Sequence, residues 1–279
     1  MSALSAGLRQ LAQSRGIVSR SLFTSATHSA EPKVPRLLNS LLHGSEEARK
    51  ESEALQSHST TVGSKSINEI QKHQVHPQHV DEYKRLVGAY FEKLNTQSDL
   101  KMNLKGSFEV IVGDLDSFVH IWEFEGYEGY DYATGKMREQ SEYGDFLKKL
   151  RPLIKSRNTQ LCREFAFWPC SGPKVNGGIY EIRSYQLKPG TLLEWETEWR
   201  RGLEARRKFV EPIGAWFAQV GRLHQVHHMW QYPSLEARLK KREKAWQVDT
   251  WSKTVSNTVK LCDSMDANVL LPNSFSPLK

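Results

Sequence analysis

Residues 179–190 read IYEIRSYQLKPG, and 112 positions earlier residues 67–78 read INEIQKHQVHPQ. Ile, Glu, Ile, Gln and Pro coincide in register. A second pair follows in the same order: VGRLHQVHHMWQY at 220–232 answers VGDLDSFVHIWEF at 112–124, sharing Val, Gly, Leu, His and Trp at an offset of 108. Two co-linear matches mark an internal duplication. The change of offset places four extra residues between the matched blocks of the first copy.

Each copy follows one plan. A β-rich run (67–75, 179–187) ends at Pro77 or Pro189, a residue suited to the first turn of a helix. Val80, Tyr83, Val87, Tyr90, Phe91 and Leu94, and in the second copy Leu192, Trp195, Trp199 and Leu203, recur at spacings of three and four, which predicts an amphipathic helix. Gly113-Asp114 and Gly221-Arg222 sit between two further β-rich runs and predict hairpin turns. A second helix is expected over roughly 135–156 and 234–255, then a last strand at Leu161–Trp168 and at Val269–Leu271 with its approach. The order βαββαβ is the ferredoxin-like pattern. The predicted class is α+β: two tandem ferredoxin-like units packed sheet to sheet. In the third strand Phe118, His120, Trp122 and Phe124 alternate with Val119 and Ile121, so both faces are apolar and both need cover. Helices supply one cover and the twin sheet the other. The expected division is a presequence at 1–30, a partly helical arm at 31–64, units at 65–170 and 179–279, and a linker at 171–178.

The first thirty residues hold Arg9, Arg15 and Arg20, several Ser and Ala, and no Asp or Glu, with Leu4, Leu8 and Leu11 on one helical face. That composition reads as a mitochondrial transit peptide. Its removal takes three charges from the net +7 and leaves +4, too diffuse for a nucleic-acid stripe. No run approaches the length of a membrane span, so membrane contact is expected to be peripheral at most. Cys162, Cys170 and Cys262 form no metal or disulfide spacing and read as reduced thiols.

These residues resemble the NIPSNAP family from Ile67 to Leu278. The resemblance rests on IYEIRSYQLKPG with Trp195 and Trp199 after it, Val226-His227-His228-Met229-Trp230, Ala245-Trp246, Val119-His120-Ile121-Trp122, Glu164-Phe165-Ala166-Phe167-Trp168 and Ser276-Pro277-Leu278. It implies a dimeric α+β barrel, a mitochondrial location in the matrix, and a part in mitochondrial quality control, flagging damaged mitochondria for autophagy. It implies no assigned reaction.

Candidate sites are few. Asp114-Leu115-Asp116 superficially matches a phosphoaspartyl loop, but Arg222 and His224 replace the acids in the second copy, so turn chemistry explains it. His224, His227 and His228 lack the further ligands that zinc requires, and no metal or cofactor is expected. His228 matches His120. Glu181, Arg183 and Tyr185 share one strand face, with Glu69 the counterpart of Glu181. If that face looks into the barrel, its charges must be paired. The leading expectation is a non-enzymatic scaffold whose partners are other proteins, autophagy adaptors among them, and further copies of the chain. Tyr83–Leu86 and Phe91–Leu94 match the loose adaptor-binding pattern but fall on a helix core face. The rival is a cofactor-free enzyme or ligand carrier using a barrel cleft around His228, Glu181, Arg183 and Tyr185.

Overall fold

Ile67–Val75 forms β1 and Ile179–Leu187 forms β5, with the same sequence of buried and half-buried positions. The computed structural model describes residues 66–279. The expected presequence and arm lie outside the described residues. Beyond β1 the first copy runs α1 (Val80–Thr96), β2 (Met102–Val112), β3 (Ser117–Phe124), α2 (Gly126–Glu139), α3 (Ser141–Leu150) and β4 (Ile154–Glu164). The second runs α4 (Leu192–Arg207), β6 (Glu211–Val220), β7 (Gln225–Tyr232), α5 (Leu235–Trp246), α6 (Asp249–Val259) and β8 (Cys262–Pro272). The longer connection in the first copy, Gln97 to Lys101, carries a short 3-10 turn at Ser98–Leu100 and takes up two of the four extra residues, α1 and β2 each adding one over α4 and β6. Each expected second helix is two helices, broken at Gln140, which is extended, and around Gln247-Val248.

The strands close into one antiparallel barrel in the order β4-β1-β3-β2-β8-β5-β7-β6, with β6 returning to β4. Within each copy this is the ferredoxin-like order. Between copies β2 pairs with β8 and β4 with β6, so neither sheet keeps a free edge. The alternation in β3 separates two cores. Val119 and Ile121 join Ile70, Phe108, Tyr180, Ile182, Trp216 and Met229 inside the barrel. Phe118, Trp122 and Phe124 pack outward against α1 and α3. The second copy repeats this with Trp195, Trp199, Trp230 and Trp251. Trp122 and Trp230 are both fully buried.

The last strands differ from expectation. β4 starts seven residues before Leu161 and stops at Glu164. Phe165 and Trp168 then leave the sheet and enter the helix-side core of the second copy. Phe165 lies 5.5 Å from Trp195 and Trp168 4.4 Å from Trp230, measured between ring centroids. In return Phe275, beyond β8, packs against the first copy's core, 6.2 Å from Phe91. Each copy lends its tail to the other.

Candidate functional site

Both hairpins turn on a glycine at positive φ, Gly113 (115°) and Gly221 (101°), and finish on a left-handed residue, Asp116 (59°) and His224 (57°). His224 therefore belongs to the turn and shares no strand face with His228. Asp114 forms an ion pair with Lys72 rather than a catalytic set. The two turns flank one barrel mouth, where a cavity of about 710 Å³ is lined by Lys72, Gln160, Ser184, Gln225, His227 and Asn268. His227 faces it with both ring nitrogens engaged, Nδ1 with Ser184 Oγ at 2.7 Å and Nε2 with Gln160 Oε1 at 3.1 Å. Burial pulls its pKa down to about 4.

The other singled-out residues do not line this cavity. Glu69, His120, Glu181, Arg183, Tyr185 and His228 lie on the outer faces of β1, β3, β5 and β7, beneath the helices. Tyr185 and Trp230 belong to the helix-side core, whereas the barrel's middle is filled with apolar side chains. The cleft expected in the barrel is thus a pair of clefts outside its wall, one per copy. The cause is parity: Tyr180 and Ile182 take the inward positions of β5.

In the first copy the cleft holds about 290 Å³ between β1 and helices α1 to α3. Beside it the histidines are locked. His73 Nδ1 meets Tyr83 Oη at 2.7 Å, Tyr83 Oη meets His120 Nε2 at 2.8 Å, and His120 Nδ1 meets Ser107 Oγ at 2.8 Å. Asn273 donates to Ser107 Oγ at 2.9 Å. Burial, aided by the charge of Arg157, lowers the pKa of His73 to about 4, and burial holds His120 well below its ordinary value. Glu69 accepts from Thr159 Oγ1 at 2.6 Å and from Gln71 Nε2 at 2.9 Å.

In the second copy Glu181 accepts from Arg183 Nη1 at 3.0 Å and from Arg238 Nη2 and Nε at 2.6 and 3.0 Å. Burial alone would raise its pKa, but the hydrogen bonds from Arg238 and the charge of Arg183 outweigh burial and hold it below the ordinary value. Arg183 Nε donates to Tyr185 Oη at 2.7 Å. His228 Nδ1 accepts from Trp230 Nε1 at 2.9 Å, and burial, then Arg183 and Arg206, keep the ring's pKa well below its usual value. A cavity of about 80 Å³ reaches His228, Arg183 and Tyr185 together with Arg206, Arg242 and Trp199. Sequence reasoning missed Arg206, Arg238 and Arg242. A signal for Arg206 existed: Trp195, Trp199, Leu203 and Arg206 continue one apolar helix stripe, and Leu94 fills the last position in the first copy.

Among the described residues no group of three or more His, Cys, Asp or Glu could hold a metal ion. Cys162, Cys170 and Cys262 are free, and burial pushes the Cys170 thiol up to about 12, away from thiolate reactivity. Fold and clefts together define a tandem ferredoxin-like α+β-barrel protein with closed strands and helix-covered outer walls. The NIPSNAP family model matches residues 68–169 and 180–277, one match per copy. The chain is 33% identical to Protein NipSnap homolog 2 of Mus musculus over 98% of this chain and 96% of that one. It is 34% identical to Protein NipSnap homolog 1 of Danio rerio over 87% and 86%. The chain belongs to the NIPSNAP family. A crystal structure of a putative monooxygenase from Lactobacillus acidophilus shares the fold, with a TM-score of 0.54 over 75% of this chain and 94% of that one, at 11% identity.

Proposed function

We propose that this NIPSNAP-family chain is a mitochondrial matrix protein that acts by binding other proteins in mitochondrial quality control, without a reaction of its own. The Arg-rich, acid-free start of the sequence supports the location. The observation that carries the binding role is the barrel mouth. Each hairpin tip holds a valine and a leucine half in water: Val112 at 50% and Leu115 at 57%, Val220 at 53% and Leu223 at 54%. Turn geometry asks for the glycines and the left-handed residues, not for these aliphatics. Single exposed leucines are ordinary, but four grouped around one opening suit a docking surface with a polar centre.

The test places a photo-crosslinking residue at Arg222, exposed on the second hairpin tip beside the same mouth, in intact mitochondria. Discrete partners should be captured, and Leu115→Glu with Leu223→Glu should abolish capture while the fold, read by circular dichroism, is unchanged. Identical capture by the double variant would refute the docking surface. A reporter fused to residues 1–30 that stays in the cytosol would refute the location.

A further inference from the structure

The second copy's cleft contains a set of buried donors with nothing to accept from them. Trp230 Nε1 can only donate, so the His228 Nδ1 it meets is an acceptor. A neutral His228 then carries its proton on Nε2, and Nε2 is buried without a partner. Arg206, also buried, spends Nη2 on Tyr232 Oη at 2.9 Å, and its Nε and Nη1 have no partner. Trp199 Nε1 is a further orphan. Arg206, His228 and Trp199 all line the same cavity. Unsatisfied polar groups at such depth are costly, and every one here is a donor.

The first copy shows what a purely structural arrangement of this cleft looks like. There His120 bonds Tyr83 and Ser107. The equivalent positions in the second copy are Trp195 and Ala215, which accept nothing from a histidine. Leu94, Gln71 and Thr134 of the first cleft correspond to Arg206, Arg183 and Arg242 of the second. Compared with the first copy, the second lacks the histidine's partners and carries three further cations. The charges are not balanced locally. Arg242 feels Arg183, Arg238 and Arg206 against the single carboxylate Glu181 and, after burial, is lowered by those cations. Arg206 instead lies over aromatic faces, 4.9 Å from the Trp230 centroid and 5.1 Å from that of Trp251. The outer rim of the cavity is apolar and wet: Trp246, Val259 and Met265 all line it and all are exposed.

We propose that this cleft binds a small apolar carboxylate, its acceptor-only head on Arg206 and His228 and its apolar body running out past Trp199 to the exposed rim of Trp246, Val259 and Met265. A carboxylate supplies acceptors and the missing negative charge at once, and charge-assisted bonds to guanidinium are the strong kind. The small volume suits a head group with a short or flat body, not a drug-sized ligand. This site is separate from the hairpin tips, so it stands or falls independently of the docking surface.

Benzoate is the probe and benzamide, the same shape without charge or a second acceptor, the control. Titration of the full chain, followed by tryptophan fluorescence and calorimetry, should show saturable benzoate binding and none with benzamide at matched concentrations. Arg206→Leu, which installs the first copy's residue, should weaken benzoate by about tenfold or more and leave thermal stability equal or higher, because an unbalanced buried cation is gone. Arg242→Thr, at the better-solvated side, should weaken binding several-fold with the fold intact, and covers the case in which Arg206→Leu misfolds. The proposal is overturned if benzoate does not saturate the parent protein, if benzamide binds equally, or if the folded variants bind benzoate as the parent does.

Discussion

His120 and His228 occupy one position in two copies of a strand and live differently, because a residue's chemistry is set by what surrounds it. His120 is closed into a chain with Tyr83 and Ser107; His228 keeps one nitrogen open. The sequence made the pair visible as equivalents but not their partners, which come from other strands and helices. The buried histidines also predict acid sensitivity. His73 and His227 both titrate near 4 in the folded chain because burial penalises their cations. Between the unfolded value of 6.5 and about 4, the unfolded chain binds protons that the folded chain refuses, so stability falls as pH falls through that window. The loss should be about 2 kcal/mol per histidine between roughly pH 7 and pH 5. Urea unfolding at those two pH values checks it; equal midpoints would mean that neither ring stays neutral by burial.

At the scale of elements, the strands that announced themselves are those packed on both faces, β1, β3, β5 and β7. The early halves of β4 and β8 did not, and the reason is physical. Arg157, Asn158, Thr159 and Gln160 of β4 and Met265, Asp266, Ala267 and Asn268 of β8 border the cavities instead of a core. With nothing apolar to bury, such segments carry no alternation, and only pairing with β1 and β5 makes them strands. The second strand of each copy holds a feature that was present in the sequence but unreadable. β2 and β6 both shift register at a glycine, Gly106 and Gly214. A Cβ on Gly106 would lie 2.4 Å from the ring of Phe108, and one on Gly214 2.7 Å from the ring of Trp216. The bulge lets an aromatic two residues on lie back across the strand into the barrel interior. Gly214→Ala should therefore displace Trp216 and destabilise by roughly 1–3 kcal/mol. Gly144→Ala, where a Cβ meets nothing, should be neutral or slightly stabilising, since alanine favours a helix. Equal melting temperatures for the two variants would reject the bulge's role.

For the whole molecule the decisive property is that neither copy is complete without the other. Ile70, Phe108, Val119 and Ile121 of the first copy are buried against Tyr180, Ile182, Trp216 and Met229 of the second. The duplication was legible from two matched blocks, and so was the need for a second cover on β3. The crossing of the tails was not, because Phe165 and Trp168 directly follow β4 and look like its continuation. Separating the copies would uncover the barrel's inner face, open edges on β2 and β4, and strip Trp168 from beside Trp230. Residues 66–172 expressed alone should therefore aggregate or pair with themselves, since a long apolar face beside free strand edges is a template for association. Mixed with residues 173–279 during refolding, they should yield a one-to-one complex with the far-ultraviolet spectrum of the intact chain. Size-exclusion chromatography with light scattering distinguishes the outcomes. A first copy that runs as a monomer and unfolds cooperatively would mean that the twin sheet is not what completes its core.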